Sequence, residues 1–112
     1  MASEEWCSAD PAVPVRTPGG ATVVVYLNEY ALGTEHRAAL ARATHSCSVT
    51  AAPGGRGTDV EITVLIPGDR TDSSFRTRAT VTTAPGGRGA VLDSREGVSG
   101  VPLVLRFRLD VA

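Results

Sequence analysis

The sequence predicts an all-β domain, a seven-strand antiparallel sandwich of two sheets, and three observations carry that prediction. Stretches in which apolar and polar residues alternate with period two recur along the chain, as they do in half-buried strands. The triplets Pro18-Gly19-Gly20, Pro53-Gly54-Gly55 and Pro85-Gly86-Gly87 punctuate them. Proline presets φ at the first corner of a turn, and glycine accepts the positive φ that follows in a type II turn. The aromatic fraction is only 4% of a 42% apolar composition, so the core is aliphatic and thin.

Taken in order, residues 1–11 read as an N-terminal segment tethered to one sandwich domain over 12–112. Residues 12–17 form a weak strand. Pro11 and Pro14 cannot donate ladder hydrogen bonds, which confines it to a sheet edge. Residues 21–30 form a strand that is apolar on both faces. Between 34 and 43, Thr34 suits a helix cap, Glu35 suits the positive end, and Ala38, Ala39, Leu40 and Ala41 favour helix. A short helix or helical turn near 35–43 follows, with Leu40 and Ala43 against the core; an extended crossover strand is the alternative.

The strand at 44–52 places His45, Cys47 and Val49 on one side. At 58–66, Val60, Ile62, Val64 and Ile66 oppose Glu61 and Thr63. At 75–84, Phe75, Ala79 and Val81 oppose Arg76, Arg78 and Thr80. Residues 89–94 make a short strand, and 97–100 a loop. The clearest alternation is 101–111, where Val101, Leu103, Leu105, Phe107, Leu109 and Val111 oppose Arg106, Arg108 and Asp110. Seven strands at this spacing fit an immunoglobulin-like or fibronectin-like sandwich. The second and third triplets lie in near-identical octets at 50–57 and 82–89, a repeated hairpin device whose flanks do not match as a solenoid's would.

At 112 residues there is room for one core. The formal net charge of −1 argues against a nucleic-acid partner. No apolar run reaches the length of a membrane span. All eleven cations are arginine, which codon usage in a GC-rich genome explains. The start Met-Ala-Ser-Glu-Glu is acidic and unlike a basic signal-peptide start. Cys7 and Cys47 suit a single disulfide in an oxidising compartment; two buried free thiols are the alternative.

Candidate chemistry is sparse. His45 and Cys47 share a face, but a zinc site needs more ligands and His36 is the only other histidine, so core packing is expected there. Asp69 and Asp72 lack the alternating pattern of a calcium loop and read as a solvated turn. Ser99 sits in Gly97-Val98-Ser99-Gly100, whose last glycine is misplaced for a nucleophile elbow. Arg56 and Arg88 hold equivalent places in the two octets and could converge on an anion; two solvated loop tips are the plainer reading. Val24, Tyr26, Leu65 and Val104 point away from the expected core and are candidate interface residues. No catalytic set and no cofactor or metal site can be assembled.

The run Trp6-Cys7-Ser8-Ala9-Asp10-Pro11, then Thr17-Pro18-Gly19-Gly20 and Val23-Val24-Val25-Tyr26, and the later 97–107 ending, resemble secreted immunoglobulin-like or fibronectin-like β-sandwich domains of high-GC bacteria. The resemblance implies an extracellular or cell-surface setting and carries no catalytic residue. The expected function is therefore a non-enzymatic, extracytoplasmic β-sandwich for contact with a protein partner or self-association in surface assembly. A structural subunit of a phage particle or extracellular filament is one alternative. The other is a small ligand- or metal-binding domain using His36, His45 or the arginine loops.

Overall fold

The computed structural model describes residues 6–9, 12–32, 42–68, 74–81 and 90–112. Its strands are β1 (Trp6–Ala9), β2 (Ala12–Arg16), β3 (Thr22–Leu32), β4 (Thr44–Ala51), β5 (Thr58–Leu65), β6 (Ser74–Val81), β7 (Ala90–Val98) and β8 (Leu103–Leu109). One sheet runs β1-β3-β6-β7 with β2 also on β3; the other runs β4-β5-β8. Every pairing is antiparallel. β1 and β2 lie along the same edge of β3 in one unbroken register, so the eight segments fill seven strand positions.

The all-β sandwich is as the sequence predicts, but its strand order departs from the immunoglobulin pattern. A constant-type immunoglobulin domain places its first, second, fifth and fourth strands in one sheet, and its third, sixth and seventh in the other. Here β5, the fourth position, has joined the smaller sheet and β7, the sixth, the larger one. β3 lies beside β6 and β5 beside β8, each pair skipping the hairpin between them.

Period-two alternation builds the core. Val15, Val25, Leu27, Phe75 and Ala79 face inward from the larger sheet. Val60, Ile62, Val64, Leu105 and Leu109 face them from the smaller one, with Ile66 just past β5. Each fully buried aliphatic side chain contributes roughly 1.5–3 kcal/mol relative to exposure. Ala43 packs against this core as expected. The helix expected near 35–43, with Leu40, falls almost wholly outside the described residues; Arg42 and Ala43, at its end, are not helical. Among the described residues no helix is long and apolar enough to cross a membrane.

Two expectations are corrected. The N-terminal tether contains a true strand, β1. The loop expected at 97–100 is strand as far as Val98, with Phe75 paired to Gly97. A Cβ on Gly97 would lie 3.2 Å from the Phe75 ring and 3.3 Å from Leu103. That glycine marks close packing of an aromatic ring against a strand, and loop chemistry was the wrong inference from it.

The β2–β3 and β4–β5 turns and the facing ends of β6 and β7 lie at one end of the sandwich: β3 runs antiparallel to β6 and β5 to β8, and Thr17 Oγ1 at the β2–β3 turn donates to Ala112 O, just past β8, at 2.8 Å. At Pro53–Gly55, Gly55 N–H donates to Ala52 O at 3.1 Å and Gly54 adopts φ 83°, ψ 3°, the expected type II corner. In the first turn Gly20 N–H donates to Thr17 O at 3.0 Å, and the positive φ falls on Gly20 and not on Gly19. This turn therefore places the left-handed residue one step later. The third triplet lies outside the described residues.

Candidate functional site

The opposite end of the sandwich holds a buried polar cluster. Along β3, Val25, Leu27 and Glu29 share the inward parity, so Glu29 enters the core with no exposed surface. Its register partner on β6 is Thr77, likewise fully buried. Across the core, β4 presents His45, whose Nε2 hydrogen-bonds Glu29 Oε1 and ties one sheet to the other. Glu29 Oε2 and Thr77 Oγ1 find no hydrogen-bond partner among the described residues. A carboxylate and an imidazole are two metal-type ligands. Among the described residues no group of three or more His, Cys, Asp or Glu is placed to hold an ion.

Cys47 lies two residues from His45 on the same face of β4, the face shared by its register partner Ile62. Ile62 is fully buried, whereas Cys47 is exposed. β4 is the outer strand of its sheet, so core cover fails at this point. The expected Cys7–Cys47 disulfide is not found, and Cys47 is a free thiol. Cys7 stands on β1, opposite Ala31, at the edge of the other sheet. Nor is Cys47 the buried thiol that was the alternative. Partial desolvation pushes the Cys47 thiol up, the opposite of the shift that activates a nucleophilic cysteine.

The four candidate interface residues divide between two surfaces. Val24 and Tyr26 are 39% and 40% exposed on the outer face of the larger sheet. Leu65 and Val104, both half-buried, lie on the outer face of the smaller sheet. The first pair belongs to a wider strip. Register sets Ala12, Tyr26, Thr80 and Val91 side by side across four strands, with Pro14 beside Val24 in the next row. Val91, at 55%, is more exposed than Val24 or Tyr26, and the sequence reading missed it. A bulge between Ala79 and Thr80 sets which β7 residue faces outward, and alternation alone does not reveal a bulge.

The outer face of the smaller sheet is ionic. Asp59 pairs across strands with Arg108 at 2.7 Å, and Glu61 with Arg106 at 3.0 Å. They line a shallow open depression with Ser48 and Thr50. The Arg108 hydrogen bond holds Asp59 below the usual carboxylate range. Each cation here already has its carboxylate, so the depression carries no unmatched charge.

The remaining candidates stay apart. Arg56 is exposed just after the Pro53–Gly55 turn. Arg88 lies outside the described residues, although the strand ends that bracket it, Val81 and Ala90, stand at the same end of the sandwich. His36, Asp69 and Asp72 also lie outside the described residues. Ser99 is buried in the β7–β8 turn, where Gly100 N–H donates to Ile66 O at 2.7 Å. Comparison with protein-family models, with curated proteins and with solved structures gave no match.

Proposed function

We propose that the chain is a non-enzymatic, extracytoplasmic interaction module that docks a protein partner on the outer face of its larger sheet. The observation that carries this reading is the continuous strip of Ala12, Pro14, Val24, Tyr26 and Val91, joined through Thr80. Four strands at about 4.8 Å spacing make it roughly 14 Å wide. Tyr26 supplies the aromatic anchor that interface centres favour, and the next row, Asn28, Arg78 and Ser94, supplies a polar rim. The resemblance to secreted sandwich domains supports the extracytoplasmic setting.

The test is site-specific photocrosslinking in the native source. A benzophenone side chain at position 26 is expected to give a discrete protein adduct, and one at Arg108, exposed on β8 at the outer face of the smaller sheet, is not. With the captured partner purified, Tyr26→Arg is expected to weaken binding at least about tenfold, the effect of losing a hot-spot aromatic, with an unchanged melting temperature. Equal adducts at both positions, or an affinity indifferent to Tyr26→Arg, would refute the reading.

A further inference from the structure

Sheet edges are templates for foreign strands, and proteins blunt them with proline, charge, bulges or shortness. Three of this chain's edge segments follow the rule. β1 has four residues. β2 carries Pro14 and Arg16. β7 carries Asp93, Arg95 and Glu96, a bulge in its pairing with β6, and an Asp93 carboxylate that accepts the Arg106 N–H of β8 at 3.0 Å. β4 breaks it. Its eight residues include no Asp, Glu, Lys, Arg, Pro or Gly, and they pair with β5 without a register shift. Among the described residues no strand pairs with its other side.

The sequence of β4 is also close to its own mirror image. About Cys47 it reads Ser46 and Ser48, then His45 and Val49, then Thr44 and Thr50. A two-fold axis beside Cys47, midway between two adjacent β4 strands and normal to the sheet, would lay two copies antiparallel. Thr44 would face Thr50 of the second copy, Ser46 would face Ser48, His45 would face Val49, and Cys47 would face Cys47. Such an isologous contact is the commonest form of protein dimer. Hydroxyl pairs add cross-strand hydrogen bonds, and no like charges meet. The axis also accounts for Cys47, exposed on the core-facing side of its sheet: a second copy would continue that side past it.

We propose that β4 is a homodimerisation edge, across which two copies fuse their three-stranded sheets into one of six strands. This surface is separate from the Tyr26 strip, and either can fail without the other. Opposed residues of an antiparallel pair have Cα atoms about 4.5–5.5 Å apart, within the span of a disulfide. Glutathione disulfide can therefore trap the dimer. One Cys47 thiolate displaces glutathione to form a mixed disulfide, and Cys47 of the second copy displaces the other. Two thiols are oxidised, one glutathione disulfide is reduced to two glutathiones, and the thiol protons leave with these.

Sedimentation under reducing conditions is expected to show a concentration-dependent monomer–dimer equilibrium. S46K/S48K sets two like-charge pairs across the axis and is expected to weaken the dimer at least about tenfold. S46K/S48E sets opposite charges at the same places and restores association. Peptide mapping after glutathione disulfide treatment is expected to find Cys47 linked to Cys47. The proposal is overturned by a monomer at all concentrations, by a dimer indifferent to S46K/S48K, or by Cys47 ending bonded only to glutathione or to Cys7.

Discussion

His45 and Glu29 are the residues on which most depends locally. Glu29 has no exposed surface, and His45 is its one hydrogen-bond partner among the described side chains. Removing the imidazole leaves a buried carboxylate without a donor, which costs far more than the bond itself adds. His45→Ala is expected to lower stability by about 3 kcal/mol, read as a fall in the urea midpoint. Replacing both residues by leucine is expected to cost much less than the two single changes together, because no polar group is then stranded. The sequence made only half of this pair legible. His45 stood on the inward face of β4, but Glu29 was hidden in a strand apolar on both sides. Its parity with Val25 and Leu27 was the available signal. The usual exclusion of lone acids from cores argued against reading it that way.

At the scale of single elements, strands and turns were legible because alternation and Pro-Gly-Gly are local signals. Strand positions 12–17, 21–30, 44–52, 58–66 and 75–84 each fell within a few residues of β2 to β6. What local signals could not convey was contact between distant segments. Gly97 looked like a loop residue until Phe75 was placed against it, and the pairing of Trp6–Ala9 with β3 depends on residues twenty or more positions away. Gly57 is similar. It has φ 151°, and a Cβ there would lie 2.6 Å from the Leu109 carbonyl oxygen. Gly54 has φ 83° with open space around it. Gly54→Ala is expected to cost about 1 kcal/mol of backbone strain. Gly57→Ala adds a clash with β8 and is expected to cost about 2 kcal/mol or more. Chemical denaturation of the two variants side by side separates strain from contact.

Across the whole molecule, the two sides of the sandwich close differently. On one side β7 of the larger sheet runs beside β8 of the smaller without laddering to it. Asp93 bridges them, its carboxylate 15% exposed and accepting the backbone N–H of Arg106. On the other side, among the described residues, no strand and no side chain of the larger sheet takes a backbone hydrogen bond from β4. A sandwich whose sheets were sealed on both sides would offer no strand for addition, so Asp93 sets which side stays available. The bond is a hydrogen bond to a charged acceptor, worth about 1.5–3 kcal/mol. Asp93→Ala is expected to raise the hydrogen-exchange rate of the Arg106 amide by about tenfold, the equivalent of 1.4 kcal/mol. Amides in the centre of β5, laddered on both sides, should keep their protection. If Arg106 exchanged no faster in the variant, Asp93 would not be what closes this side, and the asymmetry between the two edges would rest on packing between β7 and β8 alone.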